Sequence, residues 1–412
     1  MKDVVVTKYF KRLALMAALV VTGCDNPTSK STSEPLIESP PIPVIFDSDM
    51  AIDDWAALLF LARNPEIDLL ALTVAGSGEA HCGPGVVNAL ALMDLSDPES
   101  QVPAACGDPW PLEGYFVFPV AWQEDMDILS GVPIPASERT PYEGHAVELL
   151  HEKIQSSEEP VVLLATGPMT NIAQWLKKYP EDISNVSRMV IMGGVIEAPG
   201  NIIVPGFTDG NPNKHAEWNF YVDPVAADIV LKSDLNIELV GLDVTNHVLV
   251  TTEFADYFKS VVDNSAAAFW DAVLDANDWF IDSNEYYFWD VLAALVITDR
   301  DTYCQGETAA LGATYQLTDS PYIPSSDMTI PETNWKGEPR QHLDAETAGV
   351  IEFLEEGDGR SRANTLICRE TDHVQAFEDF VHVLIDAENL PPQPIYRTWY
   401  EVHGTAAETS HE

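Results

Sequence analysis

Basic residues are scarce in this chain of 412 residues. Lysine and arginine together number 21, against 66 aspartates and glutamates, which gives a formal charge of −45 at pH 7. A body this acidic repels the phosphates of nucleic acids and anionic lipid surfaces. The composition therefore excludes nucleic acid as a partner and predicts a solvated acidic surface.

Long apolar runs are also absent, apart from residues 13–21. That run is too short to span a membrane and follows several basic residues, which is typical of an export signal. Residues 21–24 (VTGC) resemble the lipobox of bacterial lipoproteins, in which the cysteine becomes the acylated first mature residue. We therefore expect residues 1–23 to be a lipoprotein signal peptide and Cys24 to carry lipid. The protein would then be exported and held at a bacterial membrane only through that lipid, on the periplasmic face or at the cell surface.

Residues 24–42 are rich in Ser, Thr, Pro and Glu, which predicts a disordered tether. The rest of the chain, residues 43–412, is long and apolar enough to build a large core. We interpret it as one domain.

Cysteine is rare as well, with five in the chain. Export places the four beyond Cys24 in an oxidising compartment, where disulfides form, and four cysteines allow three connectivities. We favour pairing Cys82 with Cys106 and Cys304 with Cys368, because each pair lies within one region of the chain. Their spacing matches no zinc site.

The most informative segment is the octet DSDMAIDD at residues 47–54, which holds four carboxylates. It lies between the apolar residues 43–46 and the apolar run 55–61, where a strand would end and a helix begin. Acidic charges at a helix N-terminus explain Asp53 and Asp54, but not Asp47 and Asp49. In open α/β sheets, ligands bind at the carboxyl ends of the strands. Carboxylates this dense tolerate one another beside a cation, and Ca²⁺ accepts crowded oxygen ligands more readily than Mg²⁺.

Apolar strand-like runs alternate with helix-like segments through the first half of the domain. This rhythm predicts an open, mostly parallel α/β sheet with helices on both faces. The expected strands are 44–46, 69–74, 102–105, 161–165, 188–192 and 237–241. The expected helices are 54–63, 85–94, 145–154, 169–179 and 224–232. Loops are expected at 109–141 and 197–218, then a cluster of three helical segments ending near residue 296, and an acidic, turn-rich C-terminal extension closing with a helix at 374–385.

Further segments follow the octet in a distinctive order. They are ATGPMTNIA at 165–173, MGG at 192–194, GN at 200–201, AEWN at 216–219, DP at 223–224, VGLDVT at 240–245 and WD at 289–290. In order and spacing they resemble the motifs DTDPGIDD, TGPLTNIA, MGG, GN, AEFN, DP, VGLDLT and HD of the nucleoside hydrolase family, also called inosine-uridine preferring hydrolases.

The resemblance implies an open α/β domain that uses Ca²⁺ to hydrolyse the N-glycosidic bond of ribonucleosides. Position by position, it implies that Asp49, Asp54 and Asp290 bind the metal through carboxylates and Thr166 through its backbone carbonyl. Asp49 would also act as general base. Asp47 would support these residues through hydrogen bonds to backbone amides or to the ligands.

The same resemblance implies a set of sugar contacts. Asp53 would bind the ribose 2′-hydroxyl and Asn219 the 3′-hydroxyl. Asn201 and Glu217 would hold the 5′ end, and Met192 would pack on the sugar. Such remote contacts orient a substrate for reaction.

Three departures from the family pattern concern the side that would hold the base. Trp289 replaces the His that is proposed to protonate the departing base in many members. Ser77 stands where an Asn beside the ribose is usual, and residues 121–123 (AWQ) lack a second His. Stacking on the base is the alternative means of activation, and the candidates for it are Trp289, Trp122, Trp218 and Phe207. We expect a ribohydrolase with purine or broad specificity.

Two rival functions stay open at this stage. The chain could be a non-catalytic surface lipoprotein that binds ribose or a nucleoside, since the base side is altered. Less favoured is a Mg²⁺-dependent phosphatase with Asp47 as nucleophile, because residue 51 is Ala where that pattern has Thr or Val. The sequence leaves open whether the chain forms a homo-oligomer.

Overall fold

A computed structural model describes residues 40–322, 330–355 and 362–403. The expected signal peptide, the lipidation site Cys24 and most of the expected tether lie outside these residues. Among the helices described, none has both the length and the apolar character needed to cross a membrane.

An eight-stranded sheet forms the centre of the domain, in the order β3-β2-β1-β4-β5-β6-β10-β7. All neighbouring strands are parallel except β10 and β7, which are antiparallel. The strands are β1 (Ile42–Ser48), β2 (Ile67–Val74), β3 (Ala104–Cys106), β4 (Val161–Ala165), β5 (Val186–Met192), β6 (Ile237–Val240), β7 (Gln305–Ala309), β8 (Leu311–Ala313), β9 (Ile351–Phe353) and β10 (Thr365–Glu370), with β8 and β9 forming a separate small sheet.

Helices connect the strands and surround the sheet. They are α1 (Ile52–Arg63), α2 (Cys82–Ser96), α3 (Val120–Asp127), α4 (Ala146–Ser156), α5 (Thr170–Lys178), α6 (Trp218–Val222), α7 (Pro224–Leu231), α8 (Leu242–Thr245), α9 (Thr252–Val261), α10 (Ser265–Ala276), α11 (Asp278–Asp282), α12 (Trp289–Thr298), α13 (Arg300–Tyr303), α14 (His373–Leu384) and α15 (Trp399–His403). Short 3₁₀ turns lie at Leu129–Gly131 and Pro180–Asn185.

The two faces of the sheet carry different helices. Side chains alternate across a strand, so Val44 and Phe46 of β1 pack with α1, α2, α10 and α12, while Ile45 packs with α4, α5 and α7 on the opposite face. A strand buried on both faces is continuously apolar, as β4 and residues 44–46 of β1 are. The predicted α/β sheet with helices on both faces is therefore confirmed.

The C-terminal extension differs from the expectation of a turn-rich tail. Its segments β10 and β7 complete the main sheet, with β10 pairing parallel to β6. Strand β7 (QGETA) lies at the edge and is mostly exposed, so it has no apolar run to reveal it in the sequence. The predicted closing helix is present as α14. The helical cluster contains four helices, α9 to α12, instead of three.

Both favoured disulfides are present. Cys82 at the start of α2 is bonded to Cys106 at the end of β3, and Cys304 is bonded to Cys368 in β10. The second bridge fastens β10 to the chain just before β7.

The two predicted loops pack against the extension in a small apolar cluster. Phe116 and Phe118 of the first loop meet Ile202 and Trp218 of the second, together with Leu343. The side-chain amide of Asn213 donates to the carbonyls of Ala345 and Ala348 at 2.9 and 2.8 Å. The first loop also contains α3, which was not predicted.

Candidate functional site

The predicted site residues converge where the strand order reverses. From β1 the chain proceeds to β2 on one side, whereas β4 pairs with β1 on the other side. Such a reversal opens a crevice at the carboxyl ends of the strands. The octet follows β1 and Thr166 follows β4, so both lie at this crevice.

A strained turn shapes the octet. Met50 has φ of 60°, a left-handed conformation that is uncommon for a residue with a side chain. Its N–H donates to Ser48 Oγ at 2.9 Å, and its carbonyl accepts from Trp55 Nε1 at 2.7 Å. These bonds hold the turn between β1 and α1, so that Asp49 and the first turn of α1 face the same space. Strain of this kind is found where a site demands it.

Four aspartates form the centre of the site, and we call them the carboxylate cluster: Asp49, Asp53, Asp54 and Asp290. Carboxylate oxygens of Asp53, Asp54 and Asp290 lie within 4.8 Å of one another. Asp54 is also within hydrogen-bond reach of Asp49. All four are buried, and Asp290 comes from α12, which packs on α1. The fold thus brings the expected metal ligands Asp54 and Asp290 together with Asp53, and places the expected ligand Asp49 beside Asp54.

Burial and mutual repulsion act strongly on these groups. Burial, followed by the charge of Asp54, raises the pKa of Asp53 to about 8. The pKa values of Asp49 and Asp290 are raised well above the ordinary value for the same reasons, and that of Asp54 is raised by burial. Asp290 Oδ1 is buried and has no hydrogen-bond partner among the described residues. A divalent cation such as Ca²⁺ binds to oxygen ligands, and its charge offsets the repulsion between buried carboxylates. The residues present therefore fit a metal ion.

Asp47 lies behind this cluster and has partners that differ from those expected. Its Oδ1 accepts from the hydroxyl of Thr73 at 2.5 Å and from the amide of Asn171 at 2.8 Å, not from backbone amides or the ligands. Thr73 is its register partner in β2, which brings the two side chains together. Asn171 also donates to the carbonyl of Val74, so it joins three elements and is structural.

Thr166 and Asn219 connect the cluster to the predicted sugar contacts. The Thr166 hydroxyl donates to Asp54 Oδ1 at 2.6 Å. The Asn219 amide donates to the carbonyls of Thr166 and Met192 at 2.9 and 3.2 Å. Met192 ends β5 with its sulfur 3.6 Å from the same amide. The Thr166 carbonyl keeps a second lone pair for a ligand.

The side chains of Glu217 and Asn201 form hydrogen bonds to other groups of the protein. Glu217 caps α6, its carboxylate accepting from the N–H groups of Asn219 and Gly194 at 2.9 and 2.8 Å. Burial raises its pKa to about 7. Asn201 Oδ1 accepts from the N–H of Trp218 at 3.2 Å, which leaves its amide nitrogen for other contacts.

Two glycines allow the backbone to approach Asp49. A Cβ on Gly78 would lie 2.1 Å from the Asp49 Cβ, and a Cβ on Gly167 would lie 2.6 Å from it.

Glu79, the residue after Gly78, donates its N–H to Asp49 Oδ2 at 3.1 Å. Burial and the charges of Asp53 and Asp54 raise the pKa of Glu79 to about 8. Glu79 is thus a fifth carboxylate at this site that was not predicted, and its only signal in the sequence is an acid placed just after β2.

The segment before Asp290, residues 286–289, is aromatic and we call it the donor segment. The Tyr286 and Trp289 rings meet edge to face with centroids 5.8 Å apart. The Tyr286 hydroxyl and Trp289 Nε1 are both buried, and neither has a hydrogen-bond partner in the described part of the chain. Tyr286 was not predicted as a site residue.

The other aromatic candidates form a separate group. The Trp122 ring lies 5.5 Å from those of both Phe207 and Trp218. Trp218 in turn stacks on Phe118 at 4.9 Å. The structure therefore divides the four stacking candidates between two groups, with Trp289 packed on Tyr286 and next in sequence to Asp290.

The fold and the site together define an open α/β protein with a buried acidic centre at its ligand edge. The sequence model for the inosine-uridine preferring nucleoside hydrolases matches residues 44–378. The chain therefore belongs to that family.

Individual relatives agree with this membership. The chain is 35% identical over 219 residues to the pyrimidine-specific ribonucleoside hydrolase RihA of Shewanella sp. (strain MR-7), a match covering 53% of this chain and 64% of that protein. It is 32% identical over 222 residues to RihA of Escherichia coli O1:K1 / APEC, covering 53% and 66%. The matched part is thus slightly less than two thirds of these curated relatives.

Solved structures share the fold. A plant nucleoside hydrolase superposes with a TM-score of 0.65 at 21% identity, covering 84% of this chain and all of that one. A purine-preferring ribonucleoside hydrolase from Gardnerella vaginalis gives 0.61 at 24% identity, covering 83% and 98%.

Proposed function

We propose that this protein hydrolyses the N-glycosidic bond of ribonucleosides, releasing free base and ribose, with Ca²⁺ bound at the carboxylate cluster. The observation that carries the proposal is the burial of Asp53, Asp54 and Asp290 with carboxylate oxygens within 4.8 Å of one another, and of Asp49 beside Asp54. Family membership supports the reaction class, and the hard oxygen donors support the choice of ion.

The residues around the cluster suit a ribose ring. The carboxylate of Asp53 is an acceptor for the 2′-hydroxyl, and the side-chain oxygen of Asn219 for the 3′-hydroxyl. Asn201, Glu217 and Met192 lie farther along the same edge, where the 5′ end would lie. A divalent ion at Asp49, Asp54, Asp290 and the Thr166 carbonyl would supply positive charge beside the sugar diol and lower the pKa of an attacking water.

Cleavage develops positive charge on the sugar, as in other glycoside hydrolyses. The acidic side chains around C1′ stabilise that charge, and Asp49 accepts the proton of the attacking water as general base. Its two oxygens are oriented by the N–H groups of Ala51 and Glu79 at 3.4 and 3.1 Å. Gly78 and Gly167 keep the space around it free of side chains.

For the base, we propose purine or broad specificity. Trp289 lies beside the cluster and offers an aromatic face, which stacks on any nucleobase. Pyrimidine ribonucleosides must also be tested, because the two relatives described above are named pyrimidine-specific.

The test is hydrolysis of a panel of purine and pyrimidine ribonucleosides by the purified protein with Ca²⁺, following free base by chromatography and ribose as reducing sugar. We expect turnover that falls by about 10²–10⁴-fold in Asp49→Asn, the usual contribution of a general base. Asp68→Asn is the matched control, because Asp68 is an exposed carboxylate in β2. Release of neither product from any nucleoside would refute the proposal.

The same experiment distinguishes nucleoside hydrolysis from the two rival functions, a surface receptor and a phosphatase. A surface receptor would bind nucleosides without turnover in either wild type or Asp49→Asn. A phosphatase would need an accessible nucleophile at Asp47, but Asp47 is buried, its Oδ1 is held by Thr73 and Asn171, and its Oδ2 is buried without a partner among the described residues. That arrangement favours support of the site over nucleophilic attack.

We also propose that the protein is exported and held at a bacterial membrane through lipid on Cys24. The support is the leader and the VTGC tetrad of the sequence. Expression of full-length wild type and Cys24→Ala in a bacterial host tests it. We expect wild type in the detergent-soluble membrane fraction and the variant displaced from it, and an unchanged distribution would refute the anchor.

A further inference from the structure

The main chain after β2 holds Asp49 through residues 78–81, which we call the supporting segment. The N–H of Glu79 donates to Asp49 Oδ2 at 3.1 Å, and the N–H of Ala80 donates to the backbone carbonyl of Asp49 at 3.0 Å. Both the carboxylate and the main chain of Asp49 therefore depend on where this segment lies. Because the carboxylate is the proposed general base, the direction of the Glu79 N–H helps to decide how that base is oriented.

One peptide unit joins this contact to helix α3. The carbonyl of Gly78 and the N–H of Glu79 belong to the same planar trans peptide, in which the two groups point in opposite directions. The Gly78 carbonyl accepts from Gln123 Nε2 at 3.2 Å. Gln123 lies in α3 and is only 4% exposed. Two hydrogen bonds in series therefore connect Gln123, through this peptide, to the carboxylate of Asp49.

The glycine in this peptide makes a restraint from outside necessary. Gly78 limits the rotation of the following peptide less than any other residue would, because it has no Cβ. A larger residue does not fit there, since its Cβ would lie 2.1 Å from that of Asp49. The bond from Gln123 fixes the plane of the peptide. It also polarises the peptide, which makes the Glu79 N–H a stronger donor.

Helix α3 is itself fastened to the domain at its other end. Asp127 accepts from the N–H of His81 at 2.9 Å, and its second oxygen lies 2.7 Å from His81 Nδ1. The amide of Asn88 in α2 donates to the Asp127 carbonyl at 3.0 Å. The supporting segment is thus bonded to α3 at both of its ends, at Gly78 and at His81. Of these bonds, the one at Gly78 lies on the peptide that donates to Asp49.

We propose that Gln123 is a positioning residue for the general base Asp49, acting through the peptide between Gly78 and Glu79. This inference rests on the proposed nucleoside hydrolysis. It also gives a role to residues 121–123, where the family pattern has a His that this chain lacks. Gln123 does not touch the substrate in this role. It keeps the Glu79 N–H directed at Asp49 Oδ2, so that the carboxylate holds the orientation from which it accepts the proton of the attacking water.

The first experiment measures hydrolysis of ribonucleosides by Gln123→Met at saturating Ca²⁺. Methionine is similar in length to glutamine but has no donor for the Gly78 carbonyl. We expect kcat to fall by about 10–100-fold, as for other residues that orient a reacting group. KM should change by less than about threefold, because Gln123 makes no contact with the sugar. Gln123→Asn keeps the amide but shortens its reach by one methylene, so it should show the same loss.

Asn88→Leu is the matched control. The Asn88 side chain, like that of Gln123, is a carboxamide that donates to a main-chain carbonyl and connects α3 to its neighbours. It has no hydrogen bond to the peptide that holds Asp49. We expect kcat and KM of this variant to stay within about threefold of wild type.

A double-mutant cycle shows whether Gln123 acts through Asp49. We expect Gln123→Met to change the residual rate of Asp49→Asn by less than about threefold, because the base that Gln123 orients is already absent. A residue with a purely structural role would lower the rate by similar factors in both backgrounds.

Amide hydrogen exchange of the metal-free protein gives a readout that does not depend on activity. We expect peptides covering residues 75–82 to exchange faster in Gln123→Met than in wild type, because the restraint on the supporting segment is lost. The same peptides of Asn88→Leu should exchange at rates near those of wild type.

The outcomes distinguish this inference from the proposed function. An unchanged kcat, equal losses in the two backgrounds, or unchanged exchange in residues 75–82 would overturn the positioning role of Gln123 while leaving nucleoside hydrolysis intact. A wild-type protein that releases neither base nor ribose would instead refute the proposed function, and the role of Gln123 in catalysis with it.

Discussion

The carboxylate cluster and the donor segment are adjacent in the sequence, and they differ in which hydrogen-bonding groups are left unpaired. In the cluster, acceptors are in surplus, and Asp290 Oδ1 is buried without a partner in the described structure. In the donor segment, donors are in surplus, at the Tyr286 hydroxyl and Trp289 Nε1. Under the proposed function, a cation and the hydroxyls of a ribose would supply the partners that the carboxylate cluster lacks.

The two regions also differ in how firmly the sequence defines them. The cluster follows the family pattern at every carboxylate, whereas the donor segment departs from it at Trp289. Under the proposed function, the residues on the sugar side would be constrained by the requirements of an ion, while those on the base side would be free to differ. The comparison therefore predicts large, uniform effects in the cluster and smaller, substrate-dependent effects in the donor segment.

Among variants that leave the proposed general base in place, the largest effect is expected for Asp290→Asn. Replacing a ligand should cost more than the roughly 10–100-fold typical of residues that only support ligands. We expect loss of nucleoside hydrolysis by more than 100-fold and loss of Ca²⁺-induced thermal stabilisation. Calcium titration by calorimetry checks the second point, with Asp68→Asn as control. Retention of wild-type calcium affinity would contradict the assignment of Asp290.

A somewhat smaller effect is expected for Gly78→Ala. The new Cβ would lie 2.1 Å from the Asp49 Cβ, so one of the two must move. Misplacing a reacting group by about 1 Å can cost about 100-fold in rate, and we expect a 10–100-fold loss of kcat with calcium still bound. Gly83→Ala is the control, since no atom lies within 4 Å of its Cβ position. Equal activity of the two variants would exclude Gly78 as a determinant of Asp49 geometry.

The acidity of the cluster predicts how stability depends on pH. Burial raises the pKa of Asp53 to about 8 and of Asp47 to about 7, from 3.8. In metal-free protein these groups contribute stability that is complete below about pH 4 and lost as the pH rises through 7 and 8. Ca²⁺ binds the deprotonated forms.

We therefore expect saturating Ca²⁺ to raise the melting temperature more at about pH 8 than at about pH 5.5, with a stabilisation near 2.7 kcal/mol at 100 times Kd. Scanning calorimetry at constant ionic strength measures it, with Asp290→Asn as the variant that should lose the calcium effect. A calcium shift independent of pH would contradict a site made of these carboxylates.

The smallest effect is expected for Trp289→Phe, which keeps an aromatic face but removes Nε1. Aromatic contacts contribute about 0.5–1.5 kcal/mol beyond their area, so we expect KM to rise by about 2–10-fold. The exposed Trp279→Phe is the control. A rise confined to purine nucleosides would sharpen the proposed specificity, and no change for any nucleoside would separate Trp289 from base binding.

Much of the site was predictable because its residues lie in short motifs, and the order of these motifs can be read along the chain. The octet could only lie at a strand end, and the alternation of strands and helices fixed which edge it would occupy. Thr166 and Asp290 were placed by the order of motifs. What failed were features that depend on distant partners: the hydrogen bonds of Asp47, the proximity of Glu79 and the packing of β7 and β10 into the main sheet.

The sequence by itself determined the fold class, the acidic edge and the residues available to it, because periodicity and motif order are local properties of the chain. Only the tertiary structure decided which acceptors and donors remain unpaired. That outcome depends on the burial of each group and on side chains brought from elements far apart, such as Asp290 on α12 beside Asp54 on α1.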